Sequence, residues 1–172
     1  MATIKKKICL VGAFAVGKTS LVQQYVHSFF SEKYHSTIGV KVEKKRVIVK
    51  EHDIDLIIWD LYGEDEFQTV RMSYLRGAAG CLYVVDGTRL ATLDVMLNLR
   101  TRVEQNIGRI PCILLLNKAD LQSQWELNLE AEHRLVTQGL AIMRTSAKTG
   151  HSVEEAFYTL AELMLEDQRF DG

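Results

Sequence analysis

The stretch "GAFAVGKT", Gly12 to Thr19, decides the fold, because of what lies on either side of it. Before it runs "KKICLVG", short, apolar and strand-like; after it, from Gly17 to about Ser28, the apolar residues recur at helical spacing. Strand, glycine-containing loop and helix in that order are the context in which a Walker A match becomes a mechanism. Gly12 and Gly17 permit the loop conformation, successive backbone N–H groups face an anion, and the helix N-terminus adds a favourable field. Lys18 is placed to reach β- and γ-phosphates, and the Thr19 hydroxyl to ligate magnesium. Gly12, Ala15, Val16, Gly17, Lys18, Thr19 and Ser20 are therefore the candidate phosphate-binding residues.

Working outward, strand-like runs recur at "VEKKRVIVK", "DIDLIIWD", "GCLYVVD", "CILLLNK" and "AIMRTSA". Helical spacing recurs over 64–78, 91–107, 129–138 and 152–167. Ser152 stands three residues before Glu155, a capping-box pattern. Strands alternating with helices imply parallel pairing through right-handed crossovers. The exception is Lys41 to Asp60, two strands separated only by a polar turn near "KEHD", which predicts an antiparallel pair. The expected fold class is α/β: a six-stranded, mostly parallel sheet with one antiparallel edge strand and helices on both faces.

At 172 residues and 47% hydrophobic content, with no repeat or Pro/Gly/Ser linker, residues 1–172 read as a single domain. A formal net charge of −1 supplies no general attraction to nucleic acid or to an anionic membrane. No apolar run spans a bilayer and no secretory signal opens the chain, so a cytoplasmic location is expected. Cys9, Cys81 and Cys112 lie in apolar strand-like segments and read as buried, reduced thiols. The five histidines lack ligand spacing, so magnesium is the one metal expected. "KKK" at Lys5 to Lys7 and "KK" at Lys44 to Lys45 read as solvated strand-end or edge positions, and Trp125 as a packed residue.

A Walker A loop does not choose between adenine and guanine. "NKAD", Asn117 to Asp120, directly follows an apolar strand and so stands at the carboxyl edge of the sheet, where open α/β sheets bind ligands. There the Asp120 carboxylate can accept two hydrogen bonds from the N1–H and 2-amino group of guanine; opposite adenine it would be left unpaired, at a cost. "TSAK", Thr145 to Lys148, follows the next strand, and its backbone can meet the base oxygen. Asn117, Lys118, Asp120, Ser146, Ala147 and Lys148 are the candidate base-binding residues.

With "GAFAVGKT", "STIG", "WDLYGEDE", "NKAD" and "TSAK" in this order, the chain resembles a small GTPase of the Ras superfamily, closest to the Rab-like branch. The resemblance covers essentially the whole chain and implies a P-loop NTPase (G domain) with GTP or GDP and Mg²⁺ as ligands. It implies that Thr37 ligates magnesium and senses the γ-phosphate, and that Asp60 holds magnesium through water. Gly63 would offer its N–H to the γ-phosphate, Phe30 would pack edge-on against guanine, and Tyr34 would close over the phosphates. Lys18, Thr37, Gly63 and Glu64 are the candidate catalytic residues; Thr19, Thr37 and Asp60 are the candidate magnesium ligands. Trp59 falls at a family position that contributes to partner surfaces.

Two departures from the family pattern matter. "WDLYGEDEF", Trp59 to Phe67, has Asp60-Leu61-Tyr62-Gly63-Glu64-Asp65 where the family has "DTAGQE", and Phe14 stands where the family has a small residue. The family's glutamine orients the attacking water. An ionised Glu64 would put negative charge beside a polyanion and could not donate to it, so slow turnover is expected. A protonated Glu64, favoured by phosphate charge, would resemble glutamine instead. Phe14 should project into the space used by an activator's arginine, which predicts failure of a conventional activator. Tyr62 either stacks on Phe14 as an aromatic lid or turns outward with it as a small apolar partner patch.

The expected function is a guanine-nucleotide switch, slow in hydrolysis or dependent on an atypical activator, with residues 32–74 read by effector or regulator proteins. The rival from another class is a nucleotide-bound interaction module with negligible turnover; a P-loop kinase or ATPase is disfavoured by "NKAD". A monomer is expected, with no direct membrane insertion and any membrane recruitment left to a partner or a C-terminal segment.

Overall fold

The computed structural model describes residues 2–33, 37, 39–65 and 69–167. Six strands form one sheet: β1 (Ile4–Gly12), β2 (Val40–Val49), β3 (His52–Leu61), β4 (Gly80–Asp86), β5 (Cys112–Asn117) and β6 (Ile142–Arg144). The strand order is β2-β3-β1-β4-β5-β6. All neighbours are parallel except β2 and β3, as expected of two strands joined by a tight turn. Lys50 and Glu51 make that turn in the left-handed region, at φ 46° and 67°, which matches the twist of a two-residue hairpin without any glycine.

Among the described residues four helices cover the sheet: α1 (Lys18–His27), α2 (Ala91–Ile107), α3 (Leu129–Thr137) and α4 (Val153–Glu166). Side chains alternate across each strand, so β1 sends Ile8 and Leu10 to one face and Cys9 and Val11 to the other. On the first face lie Leu21 and Tyr25 of α1 with Ala156, Phe157 and Leu160 of α4. On the second lie Met96, Leu99 and Val103 of α2 with Leu135 of α3. Both faces are covered, which is why β4 is buried along its whole length.

Some sequence expectations are corrected. No continuous helix occupies 64–78 among the described residues; only the 3₁₀ turn Met72–Leu75 forms. The reason is competition for the backbone. The Val70 N–H is taken by the Glu64 carboxylate at 3.1 Å and the Arg71 N–H by the Tyr62 hydroxyl at 3.2 Å, so neither is left for a helical carbonyl. The capping box at Ser152 is absent as well: this residue sits at φ 57° and its side chain makes no cap hydrogen bond. Lys6, expected in solvent, is buried, while Lys7 lies over the Trp59 ring at 3.6 Å. Lys44 reaches Asp55 at 3.0 Å and Lys45 reaches the Tyr25 carbonyl at 2.6 Å. Cys9 and Cys81 are buried and Cys112 half-buried, all three as free thiols. Trp125 packs on Gly87, where any Cβ would stand 2.1 Å from the indole.

Phe157 is fully buried and stacks on Tyr25 at 3.9 Å with ring planes 3° apart, joining α4 to α1. Phe157→Ala is expected to cost about 3–5 kcal/mol of stability, measured as a lowered urea midpoint with unchanged slope. A loss below about 1 kcal/mol would mean that this contact does not hold the two helices together.

Candidate functional site

The loop between β1 and α1 is held through five consecutive carbonyls. Lys18 Nζ donates to the Gly12 and Ala13 oxygens at 3.4 and 3.0 Å. Arg89 Nη2 donates to the Phe14 oxygen at 2.8 Å, Lys118 Nζ to Ala15 at 3.1 Å, and Asn117 Nδ2 to Val16 at 3.0 Å. A carbonyl facing an anion repels it, so tying these oxygens back is a condition for the loop to present its N–H side. Backbone geometry serves the same end. Gly17 sits at φ 103°, and a Cβ there would meet Asn117 Nδ2 at 2.4 Å. Gly12 is pressed against β4, with the Val84 oxygen 2.5 Å from where its Cβ would be. Ala15 takes a left-handed conformation, φ 63°.

Asp86, at the carboxyl end of β4, organises this support. It is 1% exposed and bonds Lys118 at 2.8 Å and Arg89 at 3.0 Å. Burial pushes its carboxyl up, but bonds from Lys118, Thr88 and Arg89 together outweigh that and hold it below the usual carboxylate range. Neither Asp86 nor Arg89 was legible as a site residue in the motifs. The available signal was an acid at the carboxyl end of a predicted parallel strand, "VVD".

In front of the loop lies a cleft of about 430 Å³, within the range of small-molecule sites. Ala15, Gly17, Lys18, Thr19, Ser20, Phe30, Thr37, Gly63, Asn117, Lys118, Asp120, Ala147 and Lys148 all line it. Gly12, Val16, Asp60 and Ser146 do not; Gly12 and Val16 shape the loop, and the buried Asp60 and Ser146 bond the lining residues Thr19 and Asp120. Tyr34 lies outside the described residues.

At one end Thr19 Oγ1 is 2.6 Å from Thr37 Oγ1 and donates to Asp60 Oδ2 at 2.6 Å. The other carboxylate oxygen, Asp60 Oδ1, is buried with no hydrogen-bond partner among the described residues. Burial holds the Asp60 carboxyl above its ordinary value, with the bond from Thr19 and the charge of Lys18 opposing. A bare, buried oxygen beside two hydroxyls fits a hard divalent cation, which takes oxygen ligands and relieves the carboxylate's desolvation. Thr19, Thr37 and Asp60, picked separately from the sequence, are thus brought together. Burial also pushes the Lys18 amine down to about 8; Asp60 opposes the shift and Arg89 adds to it.

At the other end the Asp120 carboxylate accepts from Ser146 Oγ at 2.7 Å, which fixes its direction at the rim. Asn117 is buried and accepts from Thr145 Oγ1 at 3.1 Å, so it works as a strut between the "NKAD" and "TSAK" segments and the phosphate loop. Lys148 pairs with Glu32 at 3.2 Å, beside Phe30.

The departures from the motif resolve differently from either alternative drawn from the sequence. Tyr62 is neither a lid nor an outward patch. It is 9% exposed, its hydroxyl donates to the Thr69 carbonyl at 2.6 Å, and its ring meets Tyr74 edge-on at 6.4 Å. Phe14 is 39% exposed and stands at the cleft. Glu64 does not line the cleft. Its carboxylate is bonded to Arg102 of α2, 38 residues away, a partner that no local pattern could indicate.

Among the described residues no helix is long and apolar enough to cross a membrane. A model of the Ras family matches residues 7–166. The chain is 32% identical over 173 residues to the Ypt/Rab-type GTPase ypt7 of Schizosaccharomyces pombe, covering 96% of this chain and 84% of that protein. With the phosphate loop, the Thr19–Asp60 cluster and the Asp120 rim arranged along one cleft, these matches place the chain in the Ras family, as a Rab-like small GTP-binding switch protein.

Proposed function

We propose that residues 1–172 form one G domain that binds GTP and GDP with magnesium, hydrolyses GTP slowly, and displays its nucleotide state to effector or regulator proteins through residues 32–74. The observation that carries this reading is one cleft lined by Thr19 and Thr37 at one end, with the buried Asp60 carboxylate behind Thr19 holding an oxygen that has no partner among the described residues, and by a Ser146-oriented Asp120 at the other.

Magnesium, when bound, neutralises charge on the β- and γ-phosphate oxygens. Thr19, Thr37 and Asp60 are the residues to hold it. Lys18, held against the Gly12 and Ala13 carbonyls, supplies a cation to the β- and γ-phosphates. Gly63 has room for no side chain, since a Cβ would stand 2.4 Å from the Phe14 Cα, and its N–H is the group to meet the terminal phosphate. Asp120 selects guanine by accepting from N1–H and the 2-amino group. Phe30 flanks the base and Lys148 closes the rim. Because the Glu64 carboxylate is directed to α2, no side chain at that position orients the attacking water, which supports slow turnover. The same observation favours one second reading, a nucleotide-bound interaction module with negligible turnover. Nucleotide released from purified protein separates them: GDP with measurable phosphate release supports the switch, and GTP retained over days supports the module.

Asp120→Ala should lower GDP affinity about 100-fold, as expected for losing about 2–3 kcal/mol of charge-assisted hydrogen bonding. Unchanged affinity, or equal preference for an adenine nucleotide in the unsubstituted protein, would refute guanine recognition.

Lys18 gives a pH signature. Its depressed pKa, about 8, leaves the amine largely neutral above that pH, and an arriving polyanion restores the charged form. Nucleotide binding at about pH 8.5 should therefore take up protons, and this contribution should vanish at about pH 6.5, where Lys18 is already charged. Calorimetry in buffers of different ionisation enthalpy reads the difference; identical heats in all buffers at the higher pH would contradict it.

Glu64→Gln should raise single-turnover hydrolysis by less than about tenfold, against the roughly 10²-fold or more expected from restoring a proton-positioning group. A larger gain would mean that Glu64 enters the cleft during turnover.

A further inference from the structure

Glu64 is gripped from two sides. Its backbone is laced to the phosphate loop, with the Phe14 N–H donating to the Glu64 carbonyl at 2.9 Å and the Glu64 N–H donating to the Gly12 carbonyl at 3.2 Å. Its side chain, 14% exposed, accepts on one oxygen, Oε1, from Arg102 Nη2 and from the Val70 N–H at 3.1 Å. Arg102 projects from a helix fixed in the core by Leu99 and Val103, both fully buried, so the backbone that carries it is anchored. Tyr62 and Val70 bury themselves in the same core, and the Tyr62 hydroxyl bonds both the Thr69 carbonyl and the Arg71 N–H. Gly63, immediately before Glu64, lies against the loop so closely that a Cβ there would stand 2.4 Å from the Phe14 Cα.

We propose that Arg102 is a positioning residue: through its ion pair with Glu64 it fastens the Gly63–Glu64 segment between the phosphate loop and α2, and so sets where the Gly63 N–H stands at the triphosphate end of the cleft. The inference rests on the reading above in which that N–H meets the terminal phosphate. It gives the acidic residue a physical reason. Glutamine would keep the shape but lose the charge, and a carboxylate–guanidinium bond is roughly twice as strong as a neutral one. An exposed ion pair would be worth little, but this one is largely shielded and also holds a backbone amide. Truncating Arg102 removes the charged donor and leaves the partly buried carboxylate to the Val70 N–H among the described residues, and the segment loosens.

The test is the affinity for GDP and for a non-hydrolysable GTP analogue, in unsubstituted protein, R102A, R102K, E64A and E64A/R102A. R102A should weaken the GTP analogue by about fivefold or more, while GDP affinity stays within about twofold. R102K, which keeps the cation, should recover part of the loss. The double variant should be no worse than E64A, since Arg102 acts through Glu64. Amide exchange at Val70 should quicken in R102A, with the circular dichroism spectrum unchanged.

An unaltered ratio of the two affinities in R102A would overturn the proposal. So would an equal loss for both nucleotides, which marks a contact serving the fold alone, or a full additional loss in the double variant. Failure of the unsubstituted protein to bind GDP would instead sink the functional reading, so the two outcomes are distinguishable.

Discussion

The site depends on the withdrawal of five carbonyl oxygens. Gly12, Ala13, Phe14, Ala15 and Val16 each give up their oxygen to a donor from Lys18, Arg89, Lys118 or Asn117. A loop of this shape would otherwise present mixed dipoles to an anion; tied back, it presents one sign. The donors come from α1, from the β4–α2 loop and from the end of β5, so the loop is shaped only once β1, β4 and β5 are side by side. The sheet is in this sense the scaffold of the anion site.

The electrostatics follow from that arrangement. Asp86 is buried at the end of β4, where it neutralises and directs the two cations that hold Phe14 and Ala15. Asp60 is buried at the end of β3 with one oxygen bonded and the other bare. The two carboxylates contrast in a useful way. Asp86 is satisfied by protein donors and stays ionised below the ordinary range, whereas Asp60 is under-satisfied and held above it. An oxygen left short of partners at the mouth of a phosphate loop is suited to a cation that arrives with the nucleotide.

The segment after β3 shows how a few side chains redirect a backbone. Tyr62 and Glu64 take the hydrogen-bonding groups of Thr69, Val70 and Arg71, so residues 69–71, helical in their sequence spacing, are held in a non-helical path. The acidic residue at the water-orienting position of the family is thereby a tether for the loop that carries it. Phe14, by contrast, lines the cleft.

Thr37 and Asp60 follow only from the family resemblance; the sequence by itself determined the alternation of strands and helices outside residues 64–78, the antiparallel hairpin and the phosphate loop, and pointed to Thr19 and Asp120. These rest on local periodicity, on motif spacing, and on the rule that ligands meet the carboxyl ends of parallel strands. Only the tertiary structure decided the directions of Tyr62 and Glu64, the burial of Lys6, and the roles of Asp86, Arg89 and Arg102. Arg102 meets Glu64 38 residues away and Arg89 meets Phe14 75 residues away, Tyr62 and Asp86 take partners on loops that only the fold arranges, and Lys6 depends on which face of a strand is covered. A spacing rule describes neighbours along one element; it carries no information about which donor a packed helix will bring to a carboxylate across the fold.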